Sequence, residues 1–505
     1  MKSLIELVGL LTRYKKKQIE VLGEKKGTGS RYDTFYEIVA SGEVTTDDEA
    51  ARFFFGEDKD GSYVQYRNLR NNFFRRLVNT AFFIDLKKPM FNDAQAAVHH
   101  VRKQAAAARI VGSRGAVRSA MEIAEKTIKP AVAYELTYEV LDLARLLRHK
   151  YTFMVPNEGK RAKYERLIEC SLSDLAHIAK AEQMYYKLIA PYIKSKGHKP
   201  WMNKKARQFL LELEGGRAEC KAHYFQVLYY SIAELECMTR HDYRSAIAVC
   251  RRALAFLETR KATTPPMKAA FLQTIVAAAT MLRWYGEAEK AAEESRGLTL
   301  PGTLNWYKGL EQGIYLHLHQ KQYQKAYELY AAARQHQRFC HLPPATAEAW
   351  RILEAYIGLL RAAGKITAPV GNGDCPRLMP AKLLNEVPIF SKDKRGLNIP
   401  VLIVHIIMLL QLGRYDEAYA RMQALDKYAG RHLQSGDDTF RSFCFIKALL
   451  CIHYAGYKKE AAQSAAAELL AQMSESPLQL VQAPHEIEVM PYEHLWDMAM
   501  DIISA

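Results

Sequence analysis

Apolar residues recur every three to four positions over most of this chain, and strict apolar–polar alternation is nearly absent. Helices are therefore expected rather than strands. Tyr66, Leu69, Phe73, Leu77 and Ile84 share one stripe of a helix expected from Ser62 to about Ile84, with Asn68, Asn72, Arg75 and Asn79 opposite. A short helix precedes it. Thr45-Thr46-Asp47-Asp48-Glu49 opens that helix, with hydroxyl caps and acids facing the positive end of its dipole, and Gly56 stops it. A first helix ends near Gly23, before a Lys/Gly-rich turn.

Beyond residue 92 the helices are expected to pair. Residues 92–111 return as 116–128, punctuated by Pro130, and helices follow over 134–151 and 160–194. Later partners are 218–240 with 246–259, 267–284 with 288 onward, 306–319 with 326–337, and 399–412 with 418–430. Further helices are expected over 345–363, 439–454 and 460–473, with one more after Pro491. The segment 364–398 is irregular, and only 486–490 hints at a strand.

One phrase recurs at the turns, an aromatic followed three residues later by alanine. The copies are Tyr243 with Ala246, Tyr285 with Ala288, Tyr323 with Ala326 and Tyr415 with Ala418; Tyr457 with Ala461 is stretched by one residue. Two helices at close distance need a small residue where they cross and a large one beside it. Leu412-Gly413-Arg414-Tyr415-Asp416-Glu417-Ala418 thereby resembles the inter-helix turn of tetratricopeptide repeats, with similar copies at 240–246 and 320–326. The resemblance spans roughly 215–470, and 92–215 less closely. It implies an all-α, right-handed superhelical array of antiparallel helix hairpins. The tyrosines at 243, 285, 323, 415 and 457 are spaced more widely than the family's repeat, and the proline that closes its second helix is mostly missing. The expected organisation is a helical region at 1–90, repeats at 91–363, an irregular connection at 364–398, and further repeats with a capping helix at 399–505.

Composition refines this reading. Hydrophobic residues make up 49% and charged residues 25% of 505 positions, as in folded soluble chains. The formal charge of +16 favours acidic partners without choosing among nucleic acid, anionic membrane and acidic protein. Eight scattered cysteines with no Cys-x-x-Cys suit a reducing compartment, and a cytoplasmic protein is expected. The longest apolar run, 399–412, is too short to span a bilayer. No phosphate-binding loop, zinc-protease motif or nucleophile elbow is present, so no catalytic residue, metal site or cofactor is expected. His405, on an apolar helix, reads as a hydrogen-bonded core histidine.

Two surfaces carry the functional expectation. A groove lined by first helices would offer Tyr224, Tyr229, Trp306, Tyr307, Tyr315 and Trp350 to an extended peptide or helix of another protein, as arrays of this kind do. A non-enzymatic scaffold or adaptor follows. The alternative is a transcriptional or RNA-binding regulator: the pair at 47–55 and 62–84 has a helix-turn-helix outline, with Arg67, Arg70, Asn72, Arg75 and Arg76 able to meet phosphates and bases. Against it, the turn is long and carries Glu57, Asp58 and Asp60. The basic run 194–207, with Trp201, reads as a further anionic contact or a solvated linker.

Overall fold

The computed structural model describes residues 1, 4, 5, 8, 30–82, 93–194, 199–367, 398–432, 440–476 and 488–503. Among them the structure is all-α, with twenty α-helices and no strand. The chain divides into two compact units, Met1–Tyr164 and Glu165–Ala505.

In the first unit, α1 (Arg31–Ser41), α2 (Asp47–Phe55) and α3 (Val64–Ala81) enclose an aromatic core. Phe35 stacks on Phe73 at 4.6 Å and meets Phe54 at 5.1 Å. Capping boxes open α1 and α2, Ser30 with Asp33 and Thr46 with Glu49. Asp47 accepts from the Met1 amine at 2.6 Å, the Tyr66 hydroxyl at 2.7 Å and Arg70 at 2.9 Å. Burial opposes its charge, yet these donors hold the carboxyl below its ordinary value. The long helix starts two residues later than expected, because Ser62 donates its hydroxyl to Asp60 at 2.6 Å and caps nothing. Ile84 and the region near Gly23 lie outside the described residues.

The unit continues with α4 (Asp93–Ser113), α5 (Val117–Ala133) and α6 (Thr137–His149); the boundary falls within α7 (Glu158–Lys194). Pro130 does not end α5. It sits in the last turn, where its carbonyl still accepts from Tyr134 at 3.0 Å. Residues 134–136 form a turn, because Glu135 adopts the left-handed conformation, with φ 52°.

The second unit runs through α8 (Lys199–Glu219), α9 (His223–Thr239), α10 (Tyr243–Glu258), α11 (Pro265–Met281), α12 (Tyr285–Gly297), α13 (Leu304–His319), α14 (Tyr323–Gln335) and α15 (Pro344–Ala362). It ends with α16 (Asn398–Gln411), α17 (Tyr415–His432), α18 (Phe440–Tyr454), α19 (Lys459–Glu475) and α20 (Tyr492–Ile502). Consecutive helices pack as pairs, and first helices also meet one another, α9 with α11 and α11 with α13. The expected solvated linker through Trp201 is instead the start of α8, a helix that packs on α9 through Met202, Ala206 and Leu213. The strand hint leads to none: residues 488–490 are irregular, and 486–487 lie outside the described residues.

One local geometry closes the hairpins. A residue with positive φ ends the first helix: Gly115, Glu135, His241, Arg283, Lys321 or Gly413. The next amide donates to the carbonyl five residues back, as from Asp242 to Cys237 (3.0 Å), Trp284 to Ala279 (2.8 Å), Gln322 to His317 (2.9 Å) and Arg414 to Leu409 (3.0 Å). This is the Schellman arrangement, which satisfies otherwise orphaned carbonyls. The second helix starts two residues beyond the left-handed one, where the tyrosine of the repeated phrase stands. Three residues further, Ala246, Ala288, Ala326 and Ala418 are completely buried. At the stretched copy Gly456 and Tyr457 are both left-handed, so the buried alanine is Ala462, and the expected Ala461 is exposed. The tyrosines flank the crossings: Tyr243 is buried, whereas Tyr415 is 39% exposed and stacks on Tyr457 at 4.2 Å.

Ala326→Leu puts three carbons into a crossing with no free volume. It should cost about 1–3 kcal/mol in chemical denaturation, whereas a similar change at exposed Glu328 on the same helix should cost little. Equal costs would remove the crossing argument.

Candidate functional site

A cleft of about 340 Å³ opens in the second unit, where the turn between α13 and α14, the residues that follow α15, α19 and α20 converge. Lys321 supplies the left-handed turn residue between α13 and α14, and Tyr323 begins α14. Lys365 follows the left-handed Gly364 that ends α15, while Lys459 and Gln463 come from the first turns of α19. From α20 come His494, Asp497 and Asp501, at spacings that share one helical face.

Charge is arranged in pairs with one cation over. Lys321 reaches Asp497 at 3.0 Å and Lys365 reaches Asp501 at 3.5 Å, all four side chains being well exposed. Lys459 has no carboxylate partner among the described residues. Burial, with Asp497 nearby, pushes the Tyr323 phenol up to about 12, so it stays protonated. Burial and Lys321 push His494 down to about 4, and its Nδ1 has no hydrogen-bond partner. The cleft is thus polar and slightly cationic, with the Tyr323 phenol protonated and His494 uncharged at neutral pH.

An internal ion network fixes α20 against this cleft. Arg441 is completely buried on α18 and grips Glu488 with two nitrogens, at 2.9 and 2.7 Å, and Glu493 at 2.8 Å. It also donates to the Met473 carbonyl at 2.5 Å. Burial works against the guanidinium's charge, but the two carboxylates hold it above its ordinary value. Tyr492 bonds Ser442 at 2.9 Å and stacks on Phe445 at 4.5 Å. The start of α20 therefore cannot turn without breaking several bonds at once.

The aromatic residues expected to line a groove separate into two groups. Tyr307, Tyr315 and Trp350 are 1%, 3% and 1% exposed, so they belong to the core and cannot meet a partner. Tyr307 and Trp350 meet edge to face at 6.1 Å, with Phe339 beside both. Helical spacing alone does not separate an inner from an outer aromatic. Tyr224, Tyr229 and Trp306 are half-buried. The Tyr229 hydroxyl donates to Glu214 at 2.6 Å under Arg217, and Trp306 packs on Tyr307 and His336. None of these six lines the cleft.

On α3, Arg67, Asn72 and Arg75 are exposed, and Arg75 donates to Asn72 at 2.7 Å. Arg70 is engaged by Asp47, and Arg76 lies 4.2 Å over the Tyr32 ring. The cleft residues Lys365, Lys459, Asp497 and Asp501 carried no sequence signal, since Lys321 and Asp497 meet across 176 positions.

Among the described residues no group of three or more His, Cys, Asp or Glu gathers as a metal site, and no helix is long and apolar enough to cross a membrane. Cys250 lies 3.2 Å from the carboxyl of Glu234. Burial raises that carboxyl to about 7 and the thiol well above its ordinary value, so the thiol is protonated and a poor nucleophile. The seven described cysteines are free. Compared with family models, curated proteins and solved structures, the chain matches none. Fold and site together define an all-helical array of paired helices with a polar cleft near α20.

Arg441→Met leaves Glu488 buried without its counter-charge and should cost about 3–5 kcal/mol, with partial recovery when Glu488→Gln is added. No recovery would mean that packing, not charge, holds the network.

His405 is buried, and its Nδ1 has no hydrogen-bond partner, contrary to the bonded histidine expected there. Burial, with Arg421 and Arg414 nearby, lowers it to about 4. The folded state keeps it neutral while the unfolded chain protonates near 6.5, so its contribution is present above that value and falls away as pH drops toward 4. His405→Gln should therefore narrow its stability gap to the parent by about 2 kcal/mol between about pH 7.5 and about pH 5. A pH-independent gap would contradict a neutral His405.

Proposed function

We propose that the chain is a non-enzymatic scaffold or adaptor that holds a short acidic segment of another protein in the cleft beside α20. The finer architecture, a divergent tetratricopeptide-like right-handed superhelix, belongs to this proposal. It is supported by the repeated turn and buried alanine, and by the meeting of successive first helices. A reducing compartment such as the cytoplasm is supported by the free cysteines.

The observation that carries the reading is the charge balance of the cleft. Three lysines face two aspartates, and Lys459 is the cation left without a carboxylate among the described residues. An acidic side chain entering there would meet Lys459, and it could also exchange with Asp497 or Asp501, whose exposed pairs cost little to break. A second reading, contact with nucleic acid, rests on α3, which has four arginines and no acid. With Arg70 and Arg76 committed inside the unit, fewer cations remain for phosphates than the pattern offered.

A photo-crosslinking residue at Gln463 should capture a partner protein in cells, and the same group at exposed Glu294 on α12 should not. Lys365→Glu with Lys459→Glu should reduce the crosslinked species about tenfold, roughly the effect of two lost ion pairs. Equal yields from both positions, or indifference to the lysines, would sink the proposal.

A further inference from the structure

We propose that the tip between α6 and α7 is a docking element for an anionic lipid surface, inserting Phe153, Met154 and Val155 among the head groups. The stripe Leu143, Leu147, Tyr151 is buried, and its helical continuation at 154–155 would be buried as well. Instead, a π-helical turn, Lys150–Met154, re-aims the chain, with the Val155 amide donating to the Lys150 carbonyl at 3.0 Å. Such turns re-orient side chains and are frequent at functional sites. Phe153, Met154 and Val155 are consequently 72%, 39% and 55% exposed, and every residue from 152 to 160 is exposed. Three consecutive large apolar side chains are thus exposed together at this tip.

The tip stands on a rigid base. Tyr151 is buried and stacks on Tyr164 at 5.8 Å, its hydroxyl donates to Glu125, and Lys160 reaches it at 3.1 Å. His149 packs its ring on Phe153 at 4.9 Å. An unanchored loop could hide its apolar residues by folding back, which this base prevents.

Charge selects the occupant. Between residues 145 and 164, six lysines and arginines accompany a single acid, Glu158, which pairs with Arg161. Glu125 of α5 neutralises Lys150 at 3.0 Å. Lys160 and Lys163 make no ion pair among the described residues; each lies over a tyrosine ring. An apolar point with cations one or two turns behind it suits a membrane interface, where the point enters the acyl boundary and the cations remain at phosphate level. An acidic protein could meet the cations, but it would cover an exposed apolar point less completely.

The full-length chain should co-sediment with vesicles of phosphatidylcholine mixed with phosphatidylserine and not with phosphatidylcholine alone, and added salt should weaken the binding. Phe153→Asp, and separately Lys160→Glu with Lys163→Glu, should each reduce binding roughly tenfold or more. Because Phe153 packs on His149, a Phe153→Ser variant provides a second test should the aspartate disturb folding. Failure to bind anionic vesicles at low salt, or full binding by both Phe153 variants, overturns the proposal. So does binding to immobilised polyglutamate that Lys160→Glu with Lys163→Glu abolishes, without binding to vesicles, which would make the occupant of the tip an acidic protein. None of these outcomes bears on the cleft in the second unit, so the two proposals stand or fall separately.

Discussion

The close approach of paired helices at their turns is the constraint on which the rest of this structure depends. A chain that reverses within two residues leaves carbonyls unsatisfied at the end of one helix and amides at the start of the next. The left-handed residue answers the first need by bringing the following amide onto a carbonyl five residues back. At Gly413 the conformation is free, whereas His241, Arg283 and Lys321 adopt it with side chains, at a cost of about 1 kcal/mol each. That cost is accepted because the turn sets where the second helix begins, and so sets the crossing four residues into it. Only a side chain as small as alanine fits there, which explains the complete burial of Ala246, Ala288, Ala326 and Ala418.

The same turn decides what the edges of the array display. In the second unit two of these positive-φ residues at hairpin tips, Arg283 and Lys321, are basic and exposed. Each also stands just before the positive end of the following helix dipole. A basic edge results from backbone geometry and residue choice together. Asp497 and Asp501 on α20 complement it, closing on Lys321 and Lys365, while Arg441 draws Glu488 and Glu493 inward at the start of the same helix. The terminal helix is thus held by buried charge at one end and by exposed, exchangeable charge along its length. That difference is what makes the cleft an adaptable surface attached to a fixed support.

How far this was legible in the sequence follows from distance along the chain. The tyrosine–alanine phrase is local, and it located the hairpins from α9 to α19 because the turn is written in adjacent residues. The turn between α5 and α6 lies later than Pro130 suggests, because a left-handed Glu135 stands there in place of a glycine, and Thr137 and Val140 stand where the phrase has tyrosine and alanine. Helix α8 was missed: its basic residues suggested a solvated run, although Met202, Ala206 and Leu213 already had helical spacing. Burial was less legible still. Trp306 and Tyr307 are neighbours of similar character, and only the packing of α13 on α15 places one at the edge and the other in the core. The cleft could not be read at all, because its pairs join residues from distant hairpins.

These failures share a cause that also bears on function. Local rules fix where helices stop, but what a surface offers is decided by which side chains the packing leaves uncovered. The cleft and the tip at Phe153 show this from opposite directions. In the cleft, charges distant in sequence are brought together and partly neutralised, so recognition there would depend on Lys459 and on exchanging one carboxylate for another. At the tip, three adjacent apolar residues are kept apart from the core by one π-helical turn, and recognition would depend on covering what the fold left exposed. The first surface should be sensitive to salt alone. The second requires both an apolar phase and negative charge, and few surfaces other than a lipid interface supply both.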